Sequence, residues 1–330
     1  MNNTSTSTST SALGPQDIFL FKMAGVTQPI NPINLRQFGK HIVLNHLPSK
    51  KPSSLKPCNI CLSEPIQAIA SDNTSSALSA LRQPLQASSP PIIKTPSVYT
   101  LVGASPYNST ILNQGNLGSC VPNAFSSIVQ RLVGVLPSRL YLYFNGRVGT
   151  GYSNKEDSGL DLSDALQIFT SYALPPESLW NYTPSNYSRL PPNATYTCPP
   201  ISSKQIKYIP IIQTDKNITN SIYLKNPIIF GIYVYTSFLT AVVAKTGIIP
   251  LPNTQKERLQ GGHCIFIVGW TKYKNVDYYI IQNSWGANWG NTGSTTFAPN
   301  NGTNGGYAYI PKAYVLNPRL AFELFSITAI

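Results

Sequence analysis

The chain has 330 residues, enough for about two domains with cores of their own. Hydrophobic residues make up 42% and charged residues 11%, which excludes a highly charged disordered chain or a coiled coil; 28 prolines and 22 glycines without a Gly-X-Y period exclude collagen. The net charge of +12 is dispersed, with eight basic and three acidic residues giving +5 over 1–96 and sixteen and nine giving +7 over 97–330; without a basic run it implies solubility and no nucleic-acid partner.

The amino terminus, MNNTSTSTSTSALGPQD, lacks the basic start and apolar core of a secretory signal, so an intracellular location is expected. Residues 1–14 read as a Ser/Thr tail. Residues 15–70 hold short apolar pieces at 18–21 and 41–44, separated by Pro29, Pro32, Pro48 and Pro52. Residues 71–97 are again rich in Ser, Pro and Ala and read as a linker or extended segment. Eleven prolines fall within the first 96 residues, so the main boundary is placed near Pro96. Five cysteines, Cys58, Cys61, Cys120, Cys198 and Cys264, are an odd number, which argues against a complete disulfide framework and suits reducing surroundings. Cys58-Asn59-Ile60-Cys61 is a lone C-x-x-C. Zinc would need two more ligands, and His41 and His46 are irregularly spaced for it. Unpaired thiols are the preferred reading, ahead of a redox pair or disulfide, and no metal is assigned.

Beyond Pro96 the pattern becomes regular. A helix is predicted over 124–136, starting just after Cys120 and stopping at Pro137. A second is predicted over 161–172, capped by Asp161 or Ser163, with Ala165, Leu166 and Phe169 on one face. Strands are predicted at 206–212, 228–235, 264–270, 278–282 and 307–310. The longest uncharged stretch, 228–244, contains Tyr, Ser and Thr and reads as a buried strand running into a short helix, so no membrane partner is expected. Helices first and strands later define an α+β chain with a helical lobe and a sheet lobe.

Three separated segments carry chemistry. Asn113-Gln114-Gly115-Asn116-Leu117-Gly118-Ser119-Cys120 places a cysteine at a helix amino end, where the helix dipole favours the reactive thiolate. The bland alternative is a small buried cysteine in a turn. Gly261-Gly262-His263-Cys264, leading into an apolar strand, can present an imidazole in a cleft; a lone histidine is more often a satisfied core residue, but this chain has only three. In Gln282-Asn283-Ser284-Trp285-Gly286, an asparagine at a strand end can hold an imidazole and an indole can shield that hydrogen bond from water. Alone, it is a turn with a structural tryptophan.

Together the three segments resemble the papain-like cysteine peptidases. Cys, then His about 140 residues on, then Asn some 20 later is that family's order. Gln114 six residues before the cysteine, Gly118-Ser119 directly before it, Gly262-His263 and Asn283-Ser284-Trp285-Gly286 all match. So do Tyr141-Leu142-Tyr143-Phe144-Asn145, Asp157-Ser158-Gly159 and Val234-Tyr235-Thr236-Ser237-Phe238. The similarity covers roughly 97–330 and is greatest to the non-secreted microbial and viral branch. It implies a two-lobe fold, with a helical left lobe, a β-barrel-like right lobe and the cleft between them.

By that resemblance Cys120 is the nucleophile, His263 its partner, Asn283 the orienting group and Trp285 its cover. Gln114 would donate its side-chain amide to the oxyanion, with the Cys120 backbone N–H as second donor. Ser158 and Gly159 would pair with an extended substrate, and Gly262 and Cys264 would line the cleft. The departures are Leu117, where secreted relatives carry a disulfide cysteine, Val121 in place of an aromatic, Cys264 in place of a small residue, and an Asn/Gly/Thr insertion at 294–304. The resemblance implies a monomeric thiol endopeptidase, or an exopeptidase, acting on protein or peptide without a cofactor. The expected location is cytoplasmic or within a viral particle, with 1–96 expected to be a non-standard inhibitory prosegment bound in its own cleft and 97–330 the peptidase domain. The alternatives are a catalytically silent binding or structural module, and an amidase or acyl transferase on the same triad.

Overall fold

The computed structural model describes residues 95–102, 109–202, 204–290 and 305–330. The Ser/Thr tail, the apolar pieces at 18–21 and 41–44, the Cys58–Cys61 pair and the insertion at 294–304 lie outside the described residues.

Helix α1, Cys120–Val133, is buried over its first ten residues, so it runs through the interior rather than along a surface. Pro122 is tolerated because the first-turn N–H groups have no intrahelical partner. The helix ends before Pro137: Gly134 takes the left-handed conformation, φ 82°, and donates its N–H to Gln130 O at 2.8 Å. Helix α2, Arg139–Gly149, was not predicted. Its residues 139–147 are all buried, so it shows no polar face and hence no 3.6-residue alternation to read. Ser138 caps it by accepting from the Tyr141 N–H. Helix α3, Leu162–Ser171, matches the second predicted helix and buries Leu162, Ala165, Leu166 and Phe169.

After α4, Ala194–Thr197, the chain turns to strands, with short helices α5, Asp215–Tyr223, α6, Ala241–Thr246, and α7, Lys312–Val315, between them. The strands are β1, Tyr99–Thr100; β2, Ile206–Pro210; β3, Ile228–Tyr235; β4, Leu259–Tyr273; β5, Val276–Gln282; β6, Tyr307–Pro311; and β7, Ala321–Ala329. They pair antiparallel in the order β2-β7-β3-β4-β5-β6, with β1 on β4. The path has two ends, so among the described residues the barrel-like lobe is an open sheet. Strand β7 was not foreseen. Its alternation breaks at Glu323, a non-glycine residue at φ 53°, where the register with β3 shifts.

The lobes are tied by a buried cation. Arg131, near the end of α1, donates to the Gln282 side chain at 2.7 Å and the Tyr307 hydroxyl at 2.6 Å, linking α1 to β5 and β6. Burial lowers its pKa, the Tyr307 contact opposing that shift. No helix among the described residues is long and apolar enough to cross a membrane.

Candidate active site

The loop that leads into Cys120 is fixed from two sides. On one side its backbone pairs with the segment after β5: Gln114 N–H donates to Ser284 O at 2.9 Å, and Gly286 N–H donates to Leu112 O at 2.9 Å. On the other, a directed chain of hydrogen bonds holds its base. Tyr182 has one hydroxyl proton and gives it to Gln114 O at 2.8 Å, so Ser119 donates to Tyr182 at 2.5 Å. Ser119 in turn accepts from the Asn123 amide at 3.0 Å. Arg139 donates to Asn123 at 3.0 Å, lies 3.9 Å over the Tyr182 ring and is forked onto Glu177. Sequence reasoning missed Asn123, Arg139, Glu177 and Tyr182, because their roles rest on contacts distant in sequence.

Gln114 is fully buried and its amide orientation is determined. Leu117 O, a pure acceptor, lies 3.0 Å from one end, which is therefore the NH2; the other end accepts from Ser284 Oγ at 2.6 Å. One N–H of the amide is thus used within the loop and a second is left to donate. Ser284 was quoted in the motif, but this role was not read from it.

His263 does not open its strand. It lies inside β4, which begins at Leu259 because β3 continues to pair with it as far as Tyr235. It sits opposite Ile232, next to Gly262, which is buried opposite Tyr233. Asn283 directly follows β5, its N–H held by Gly306 O at 2.8 Å. Its Oδ1 accepts from the Ser284 N–H at 2.8 Å, which fixes the amide, and the same oxygen lies 2.8 Å from His263 Nε2. Nε2 therefore carries the hydrogen, and Nδ1 is the acceptor of the neutral ring. Trp285 stacks on the imidazole at 4.9 Å and 25°, and packs in turn on Phe238 and Trp289. The indole keeps water from the His263–Asn283 bond.

Cys120 is the first residue of α1 and lies beside Cys264, one residue past His263; neighbouring backbone N–H groups, that of Cys264 foremost, act to lower its pKa. The fold thus brings Cys120, His263, Asn283, Trp285, Gln114 and Cys264 to one place. Cys264 is buried opposite Gly231, and burial, then the neighbouring Cys120 and Glu323, push its thiol up. Ser158 and Gly159 lie on the loop before α3. There Gly159 N–H donates to the Tyr143 hydroxyl at 3.1 Å and Ser158 Oγ donates to Gly159 O at 3.0 Å. The Gly159 N–H is therefore engaged internally, which leaves less of that loop's backbone free for a substrate strand than the resemblance implies.

Burial sets the protonation of the pair. It pushes the Cys120 thiol up to about 12, against the backbone N–H groups that favour thiolate. It pushes the His263 imidazole down to about 4, against the Asn283 hydrogen bond. Burial thus opposes the helix end, from which the sequence suggested a thiolate, and favours the uncharged form of each group. No group of His, Cys, Asp and Glu among the described residues is arranged to hold a metal.

Residues 151–311 match the profile of the papain family cysteine proteases. An uncharacterised peptidase C1-like protein of Acanthamoeba polyphaga mimivirus is 32% identical over 231 residues, 66% of this chain and 68% of that protein. Xylellain, a cysteine protease from Xylella fastidiosa, superposes with a TM-score of 0.58 at 25% identity, over 71% of this chain and 87% of its own. Procathepsin L 3 of the Tenebrio molitor larval midgut shares the fold, with a TM-score of 0.53 at 18% identity over 72% and 71% of the two chains. The chain belongs to the papain family of cysteine proteases.

Proposed function

We propose that this chain is a peptidase that cleaves peptide bonds through Cys120, His263 and Asn283. The observation that carries this reading is the doubly anchored Asn283 Oδ1, which holds the Nε2–H tautomer of His263 under Trp285. That tautomer leaves Nδ1 to take the thiol proton. The Cys120 sulfur attacks the carbonyl carbon as its proton passes to Nδ1, and the carbonyl oxygen becomes an oxyanion. The oxyanion accepts from the Gln114 amide and the Cys120 backbone N–H. Collapse breaks the C–N bond, and the imidazolium gives its proton to the departing amine. Water, deprotonated by the neutral imidazole, then attacks the thioester. The acid leaves, and the thiol is restored.

The test couples alkylation to cleavage. A peptide library is digested while iodoacetamide is titrated in, and the modified residue is mapped by mass. Cleavage is expected to fall in step with Cys120 alkylation. Cleavage that survives complete alkylation of Cys120 overturns the reading.

Residues 1–96 are read as a prosegment that blocks the cleft. Their proline-rich sequence and upstream position support this. The chain also enters the folded domain against the strand that carries His263: Tyr99 pairs with Trp270 of β4, and the Trp270 indole donates to Pro96 O at 3.0 Å. A protein comprising 97–330 is expected to turn over peptide at least tenfold faster than the full chain, a ratio that needs only ~1.4 kcal/mol of competing occupancy. Equal rates remove the prosegment and leave the peptidase reading intact.

A further inference from the structure

Asp157 has no part in the mechanism above, yet it touches the loop on which that mechanism depends. Both of its carboxylate oxygens accept the Gly118 N–H, at 2.9 and 3.0 Å. The Tyr143 hydroxyl, fully buried, donates to Oδ1 of the same carboxylate. The same Tyr143 hydroxyl accepts the Gly159 N–H at 3.1 Å. Behind Tyr143, the Arg147 guanidinium stacks on its ring at 4.2 Å and donates to the carbonyls of Asn154 at 3.1 Å and Glu156 at 2.6 Å. The carboxylate is thus held in place by a buried framework, not by a surface contact.

The Gly118 N–H belongs to the same peptide unit as the Leu117 carbonyl, and a peptide unit is a rigid plane. One edge of that plane is held by Asp157. The other holds the Gln114 amide, Nε2 to Leu117 O at 3.0 Å. Rotating the plane about its flanking bonds would swing the carbonyl away and release the amide. A carboxylate on the N–H also polarises the unit and strengthens its carbonyl as an acceptor. The site demands glycine at 118: a Cβ there would lie 2.5 Å from Asp157 Oδ1 and 3.1 Å from the Tyr143 hydroxyl.

We propose that Asp157 is a positioning residue that sets the direction of the oxyanion donor Gln114 through the Leu117–Gly118 peptide plane, with Tyr143 as its support. The inference rests on the peptidase reading. It assigns a catalytic consequence to a carboxylate that never touches substrate. It also predicts a dependence that a merely structural residue would not show: the part of turnover that Asp157 supports through Gln114 vanishes once Gln114 is gone.

The experiment is a double-mutant cycle on the full chain, with kcat, KM and the rate of Cys120 alkylation by iodoacetamide measured for each variant. Asp157→Leu is expected to lower kcat roughly tenfold to a hundredfold, a part of what losing an oxyanion donor costs. KM and alkylation, which need no oxyanion donor, stay within about threefold of the parent rates. Asp157→Asn, whose carbonyl still accepts from Gly118, restores most of kcat. In the Gln114→Ala background Asp157→Leu costs nothing further, because the donor it positions is gone. Losses that multiply in the double variant overturn the inference, as does an Asp157→Leu protein with parent kcat. Should Asp157→Leu fail to fold, Tyr143→Phe takes its place in the cycle, and multiplying losses there overturn the inference equally. A parent chain and a 97–330 protein whose Cys120 alkylates but neither of which cleaves peptide overturn the peptidase reading and the inference together. Activity in the parent with additive losses overturns the inference alone.

Discussion

Gln114→Ala loses about 10²–10³ in kcat toward a peptide substrate while its KM changes little, the signature of an interaction made only in the transition state. The magnitude follows from preorganisation. Gln114 is wholly buried, its oxygen is occupied by the Ser284 hydroxyl at 2.6 Å and one N–H by Leu117 O at 3.0 Å. The amide is therefore held before substrate arrives and needs no reorganisation as charge develops. Alanine removes the donor and leaves the Ser284 hydroxyl and the Leu117 carbonyl without that partner. Cys120 should still be alkylated by iodoacetamide at close to the parent rate, because displacement at a saturated carbon forms no oxyanion. Steady-state kinetics on the purified variant, with melting temperature as a control, decide the matter. Full turnover in a folded Gln114→Ala protein removes Gln114 from the oxyanion site. Equal losses in turnover and alkylation would mean that the substitution has disturbed the thiol instead.

The segments proposed to carry the chemistry were legible in the sequence; the groups that hold them in place were not. Cys120, His263, Asn283 and Gln114 stand in segments marked by glycines, an apolar run and a tryptophan, features that short windows expose. Strand β3 was read at its true limits, and β4 and β5 in their buried centres, because uninterrupted apolar runs identify strands covered on both faces. Helix α2 escaped for the converse reason: a helix buried all round carries no amphipathic stripe. Glu323 hid β7 by placing a bulge and a carboxylate where alternation would have continued. Asp157, Tyr182 and Arg139 are ordinary polar residues in the sequence. Their partners lie 39, 63 and 38 positions away, at Gly118, Ser119 and Glu177, so no local pattern could reveal them. The burial that opposes the helix end's pull on the thiol escaped for a related reason. The helix end is visible in sequence, whereas the burial that opposes it is a property of the assembled fold.

That burial has a measurable consequence at acid pH. Between about pH 7 and about pH 3.5 the protein loses about 3 kcal/mol of stability that a His263→Gln variant does not lose. His263 is 1% exposed, and burial holds its imidazole at about 4 against an unfolded value of 6.5. Above 6.5 neither state binds the proton, and the stability is fully present. As pH falls from 6.5 to 4 the unfolded chain takes up a proton that the folded site refuses, so unfolding becomes progressively easier. Below 4 both states are protonated, and no further loss comes from this group. Asp161 and Glu323 work in the opposite sense: burial holds both carboxyls above their ordinary values, so folded-state proton uptake stabilises the chain as pH falls. They are present in parent and variant alike, and the difference between the two isolates the imidazole. Urea melts across this range provide the measurement. Parallel losses in the two proteins would show that the folded site takes the proton as readily as the unfolded chain, and would remove the burial-lowered imidazole. A gap that opens between 6.5 and 4 and then stays constant places the neutral ring at the start of the reaction, where its Nδ1 is ready to accept the thiol proton.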